Sequence, residues 1–255
     1  MIDKLENPAE AAEIFEGWEE TIIWSCLQGI MGEIYVDDVD KPTAAKAILG
    51  DFVFFAGQPN AELILHELKE FMIMVPRDEE WARQIEVCLE NQAKPALRYA
   101  ILKEENNFDR TKLENYAVSL PEGYRLEFID EALYHMCLAE EWSADLVKQF
   151  ESYAKFKDYA LGVVALKENE IAAGASSYSV YDKGIEIEVD TKENHRRRGL
   201  ATACAARLIL KCLEKGLYPS WDAANLWSVA LAEKLGYHRG ESYMIYEMRK
   251  STTEL

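Results

Sequence analysis

"IEIEVDTKENHRRRGLATACAARLILKCLEKG", Ile185 to Gly216, changes period partway along. Its first five residues alternate, with Ile185, Ile187 and Val189 on one face of a strand and Glu186 and Glu188 on the other. The later residues repeat at helical spacing. Leu200, Cys204, Leu208 and Cys212 form an apolar stripe, and Arg207, Lys211 and Glu214 form a polar one, on a helix expected to begin near Arg198. Between the two periods lie Arg196, Arg197 and Arg198, then Gly199. A strand therefore feeds a helix through a short basic turn. A helix start carries unpaired N–H groups and partial positive charge, which suits an anion. Gly199 allows close approach to the backbone, and Ala201, Thr202 and Ala203 keep the first turn uncluttered. Phosphate is the natural ligand, and a pyrophosphate would engage several amides at once. Neither G-x-x-x-x-G-K-[ST] nor G-x-G-x-x-G is present, so a nucleotide P-loop and a dinucleotide fingerprint are excluded.

This basic turn sits in an acidic chain of 255 residues with formal net charge −18. The length fits two modest domains or one large one. The charge argues against nonspecific binding to nucleic acid or an anionic membrane surface, and it is compatible with a cationic substrate such as an amine; solubility explains it equally well. No run approaches the ~18 apolar residues of a membrane span. The N-terminus lacks the basic start and apolar block of a secretory signal, so a cytoplasmic protein is expected. Cys26, Cys88, Cys137, Cys204 and Cys212 are scattered without C-x-x-C, and the four histidines are far apart. Buried thiols are expected, with neither a disulfide framework nor a metal site.

The N-terminal half reads as mixed α and β. Asn7, Pro8 and Glu10 mark a helix start, continued by Ile14, Phe15, Trp18 and Ile22. Strands are expected at "EIYVDD" from Glu33, "DFVFFAG" from Asp51, "FMIMV" from Phe71 and "ALRYAIL" from Ala96. Helices are expected from Asn60 through "NAELILHELKEF" and from Asp78 to Asn91. Pro121 and Gly123 suggest a boundary, giving domains 1–119 and 120–255. Beyond it come a strand from Tyr124, helical segments from Asp130 to about Tyr153, and three strands ending in "IEIEV". The basic turn and long helix follow, then "LYPSW", a helix from Asn225 and a closing strand. A mixed sheet in an α/β (α+β) protein is expected.

The pattern Arg196-x-x-Gly199-x-Ala201 resembles the R/Q-x-x-G-x-G/A signature of the GNAT superfamily of N-acetyltransferases. "SWDAANLWSVALAEKLGYHRG" from Ser220 matches a second motif of that superfamily, through Asn225, Ser228, Lys234, Gly236 and Tyr237. Together they cover roughly Tyr124 to Met248. The whole chain is similar in style to the zwittermicin-resistance-type bacterial acetyltransferases. On this resemblance the C-terminal domain is a GNAT-fold mixed sheet flanked by helices. The N-terminal domain is read as a degenerate GNAT-like half that caps the acceptor site or mediates homodimerisation.

The resemblance implies acetyl transfer from acetyl-CoA to a small-molecule amine, with no metal. It assigns the backbone of Val189, Asp190 and Thr191 to the pantetheine, with an N–H near Val189 for the thioester carbonyl. It assigns the amides of Arg197 to Thr202, including Gly199, Leu200 and Ala201, to the pyrophosphate beside Arg196 and Arg198. Asn225 and Ser228 face the pantetheine or the 3′-phosphate. Glu188 is the first choice as general base, with Glu186 and Asp222 as competitors. Many family members carry an acid tyrosine where this chain has Ala232, leaving Tyr218, Tyr243 and Tyr246 as available phenols. Transfer of a longer acyl group and a non-catalytic CoA-binding regulatory module stay open as alternatives. Trp221 and Trp227 are expected in the core, with a place flanking the cofactor as the alternative.

Overall fold

The computed structural model describes residues 2–250. Its contacts divide the chain into two compact units, Met1–Arg98 with Ser242–Leu255, and Tyr99–Glu241. The expected ranges 1–119 and 120–255 reach into Met1 and residues 251–255, which lie outside the described residues, and residue 119 falls within the second unit.

The first unit is built from β1 (Asp3–Lys4), α1 (Thr21–Leu27), β2 (Glu33–Val36), β3 (Ala44–Leu49), β4 (Phe52–Gly57), α2 (Ala61–Leu65), β5 (Phe71–Pro76), α3 (Glu79–Leu89) and the start of β6 (Ala93–Ile101). β1 to β4 pair antiparallel in chain order, and β4 pairs parallel with β5 from Phe52↔Ile73 to Phe55↔Pro76. Phe55, Trp81, Met72, Met74, Ile85 and Tyr246 fill the core, and Trp81 Nε1 donates to the Gly57 carbonyl at 2.9 Å.

Two expectations change here, and one strand carries no sequence signal. The first helix is interrupted: Pro8–Ala11 is a 3-10 turn, Gly17 adopts φ +70°, and α1 starts only at Thr21. The helix capped by Asn60 stops at Leu65, and Glu67 has φ +52°. β3, "AAKAIL", went unread because alanine and lysine are poor strand formers; it exists because β2 and β4 pair along its two edges.

The second unit contains α4 (Arg110–Val118), β7 (Tyr124–Phe128), α5 (Glu131–Leu138), α6 (Glu141–Ala144), α7 (Tyr153–Tyr159), β8 (Gly162–Lys167), β9 (Glu170–Tyr181), β10 (Gly184–Thr191), α8 (Leu200–Lys215), β11 (Tyr218–Ser220), β12 (Asp222–Ala223) and α9 (Leu226–Leu235). The last strand, β13 (Arg239–Arg249), starts in this unit and ends in the first, where Tyr246↔Met74 and Met248↔Met72 pair it with β5. α4 also went unread, because only Leu113 of its nine residues is buried and no apolar stripe shows. It packs along α8, which explains why Pro121 and Gly123 mark a turn within the unit rather than its edge.

β7 to β10 form an antiparallel meander, and α8 carries the chain back to place β11 parallel to β10. Ten of the sixteen α8 residues are buried, including Leu200, Cys204, Leu208 and Cys212, so this helix forms the centre of the core. β10 and β11 approach closely at Gly184, where a Cβ would lie 2.2 Å from the Tyr218 carbonyl oxygen.

Candidate active site

The site begins where two parallel strands part. β11 pairs with β10 at Gly184↔Tyr218, Ile185↔Pro219 and Glu186↔Ser220. The chain then leaves that register, and β12 pairs instead with β6 through Asp222↔Ala100 and Ala223↔Tyr99. On its other edge β10 stays paired with β9 as far as Thr191↔Ala173, with a bulge that makes Tyr178 the extra residue. Among the described residues, Ile187 to Thr191 therefore have one paired edge and one open edge. The amides on the open edge are met by carboxylates of their own strand: Val189 N donates to Glu188 Oε1 at 3.2 Å and Thr191 N to Asp190 Oδ1 at 2.6 Å. An extended ligand with carbonyl oxygens has a strand edge to pair with here.

At the far end of β10 the basic turn leads into α8. Arg197 adopts φ +59° and Gly199 φ +81°, and the left-handed Gly199 caps the helix. A Cβ on Gly199 would meet nothing within 4 Å. The first bond of the helix is Ala203 N to the Gly199 carbonyl at 3.1 Å, so the amides of Leu200, Ala201 and Thr202 precede any intrahelical donor. Arg196, Arg197, Arg198 and Gly199 are exposed. Arg196 Nε donates to the Thr191 carbonyl at 3.3 Å, and Arg198 donates to the Asn194 carbonyl at 3.4 Å, which fixes the turn against itself. These residues fit a pyrophosphate: open space over a glycine, an exposed triple cation and a helix start.

Glu188 and Asp190 lie opposite Ser176 and Gly174 on β9. Ser176 Oγ donates to the Leu146 carbonyl at 2.5 Å, and a Cβ on Gly174 would meet the Leu146 side chain. Both carboxylates therefore rise from the sheet face covered by the segment after α6, and alternation puts Glu186 on the same face. Burial raises the Asp190 carboxyl above its ordinary value, against the lowering effects of the Thr191 amide and Arg196. Glu186 is buried at the last β11 pair. Around it burial pushes the Tyr181 phenol up to about 12 and raises Tyr218 and Tyr237, and the Glu186 charge acts in the same direction.

The remaining predicted residues are dispersed. Asp222 sits on β12, the arm that diverges from β10. Asn225 Oδ1 caps α9 by accepting from Trp227 N and Ser228 N, both at 3.0 Å, and Ser228 Oγ accepts from Trp221 Nε1 at 3.0 Å. Ala232 is fully buried, so the position of the family's acid tyrosine is packed in this chain. Tyr218 accepts from Glu104 N at 3.0 Å, and Tyr246 lies in the first unit's core, donating to Glu86. Trp221 is buried as expected; Trp227 is not, being 82% exposed at the start of α9, where its backbone serves the cap and its indole has no core to enter.

Sequence reading missed two supports of the turn. Lys192 bridges Glu140 at 2.7 Å and Glu170 at 2.8 Å, and its ammonium holds both carboxyls below their ordinary value. His195, buried one residue before Arg196, shares a 2.7 Å hydrogen bond between Nδ1 and the Tyr124 hydroxyl. Lys234 also reaches the start of α8, donating to Thr202 Oγ1 at 3.3 Å. No spacing rule joins residues so far apart in sequence. A depression of about 600 Å³ in the first unit, lined by Asp37, Asp38, Lys41 and Glu62 among others, has no comparable chemistry. Asp37 there is taken up by Thr43 and Ala44 of its own loop.

Comparison with known proteins gives one consistent result. A family model described as GNAT acetyltransferase matches residues 12–246. The chain is 47% identical to a GCN5-related N-acetyltransferase-like protein from Streptococcus suis 89/1591, with TM-score 0.91, covering 96% of this chain and 99% of that one. It is 27% identical over 241 residues to the uncharacterized N-acetyltransferase YdfB of Bacillus subtilis (strain 168), covering 89% of each. A tandem GNAT protein from the clavulanic acid biosynthesis pathway shares the fold, at 12% identity and TM-score 0.61 over 98% of both chains.

Proposed function

Because the chain belongs to the GNAT acetyltransferase family, we propose that it transfers an acetyl group from acetyl-CoA to the amine of a small-molecule acceptor at the open edge of β10. Acetyl-CoA, when bound, supplies the activated acetyl thioester. The observation that carries the reading is the parting of β10 from β11 after Glu186↔Ser220, which leaves the Val189 and Thr191 amides facing away from β9. Val189 N–H would hold the thioester carbonyl, and Thr191 N–H a carbonyl of the pantetheine. Arg196 to Arg198, with the amides of Gly199 to Thr202, would hold the pyrophosphate.

The chain's further tasks are to attract the amine, remove its proton and keep it placed. Glu188 is half-buried beside Val189 and serves as the base. Glu186 is buried among phenols, which suits a supporting charge better than repeated proton exchange with an acceptor. Glu188 and Asp190 on one face favour a cationic acceptor. An aminopolyol amine, as in the zwittermicin-resistance type, fits that preference. The test is release of CoA thiol from acetyl-CoA with a panel of amines that includes aminopolyols and aminoglycoside-like compounds. Turnover with a cationic amine is expected. Tight CoA binding without thiol release for any amine would contradict the reading and favour a CoA-binding regulatory module.

A further inference from the structure

Two carboxylates stand where a ligand's carbonyl oxygens would. Beyond Glu186 the amides on the open edge of β10 recur at every second residue, Val189 and then Thr191. Each donates to the side chain of the residue just before it, Val189 N to Glu188 Oε1 at 3.2 Å and Thr191 N to Asp190 Oδ1 at 2.6 Å. Neither side chain starts from that edge. Both rise from the face covered by Leu146, opposite Ser176 and Gly174, and fold back along the strand to reach the amides. The edge therefore carries its own acceptors, at the spacing of the amides themselves.

We propose that Glu188 and Asp190 are built-in competitors of the acyl donor, and that donor binding displaces Glu188 from the Val189 amide and so frees it to act on the acceptor amine. This rests on the assignment of the open edge of β10 to acetyl-CoA. A carboxylate that accepts from a backbone N–H is a weaker base than one released from it. In the absence of donor, Glu188 is thus engaged by the Val189 amide. Arrival of a carbonyl at the Val189 amide removes that bond and leaves the carboxylate beside the reacting centre. The donor must then bind before the acceptor is deprotonated, and one side chain reports donor occupancy to the chemistry.

The two competitors differ in what they cover. Glu188 covers the amide assigned to the thioester carbonyl, which CoA lacks. Asp190 covers an amide assigned to the pantetheine, which CoA and acetyl-CoA share. Calorimetric titration of each ligand, without amine, into wild type, Glu188→Ala and Asp190→Ala separates them. Glu188→Ala is expected to tighten acetyl-CoA about three- to tenfold, the range for removing one competing hydrogen bond, and to leave CoA affinity unchanged. Asp190→Ala is expected to tighten both. Glu188→Gln keeps an acceptor oxygen and should shift acetyl-CoA less, in the same direction. Equal tightening of both ligands by Glu188→Ala would be general charge relief and would overturn the proposal, as would no tightening of either. A wild-type protein that binds neither ligand would remove the open-edge assignment, and the proposal would fall with it. Thermal melts of the variants confirm folding; both side chains are half-buried and neither fills the core.

Discussion

Glu188 and Lys46 are the two residues whose chemistry is most exposed to test. Glu188→Gln should keep CoA affinity and lower turnover by about 10²–10⁴-fold, the usual contribution of a general base. The loss should be greatest at pH values where the amine is mostly protonated. Initial rates of thiol release across pH measure this, and near-wild-type turnover would move the role to Glu186 or Asp222. Lys46 is 1% exposed on β3, with its ammonium donating to the His66 carbonyl and lying 5.4 Å from the Tyr35 ring centroid. Burial lowers its value from 10.5 to about 8. Between those values the unfolded chain holds a proton that the folded chain has released, so stability must rise with pH across that window. Relative to Lys46→Met, wild type should gain up to about 1.4 kcal/mol per pH unit between about pH 8 and 10.5, read from denaturant unfolding at each pH. A difference that does not change with pH would contradict a buried amine that gives up its proton at lower pH than in the unfolded chain. The strand face of Glu188 was legible from the alternation of "IEIEV", but the environment of Lys46 was not: "AAKAIL" offers a lysine that any pattern reading places in solvent, and burial of its amine follows from β3 lying between two strands.

Among the elements, the strand–turn–helix of β10 and α8 was readable because its two periods change abruptly at the arginines. The helix began two residues later than Arg198, since Gly199 takes the left-handed cap. The parting of β10 from β11 was not readable, because it depends on which distant strand β12 joins. α9 was placed correctly by Asn225, yet its faces were not. Ala232 points into the core with Val229 and Leu235, and Trp227 points out. Ala232→Tyr should therefore overpack the core, destabilising by about 1–3 kcal/mol, rather than install an acid. A lower melting temperature with no high-pH fall in rate is expected. A variant that melts like wild type and gains such a fall would place the residue in the site after all.

At the scale of the molecule, the family match over residues 12–246 includes both compact units, whereas the motifs visible in sequence covered roughly Tyr124 to Met248, most of the second unit and only the last strand of the first. The reason is physical. β4, α2 and β5 repeat the strand–helix–parallel strand order of β10, α8 and β11, but their turn, "GQPN", has no arginines, and β4 stays paired with β5 to Phe55↔Pro76. Sequence signatures follow ligand chemistry, and this half has the strand–helix–strand order without the phosphate turn. Its sheet is completed by the chain's last strand, whose Ile245, Tyr246 and Met248 are buried. A chain ended at Glu241 should lose protection of the β5 amides in hydrogen exchange. Retained protection from Met72 to Val75 would show that β13 is dispensable.

The central claim, that one strand edge and one basic turn hold the acyl donor, is tested most directly by titrating CoA into wild type and Gly199→Glu. The substitution adds bulk and negative charge where a Cβ now meets open space, and its backbone strain is about 1–2 kcal/mol, too little to unfold a typical domain. Wild type is expected to bind CoA and the folded variant to bind it far more weakly; equal affinity in the two would contradict the account.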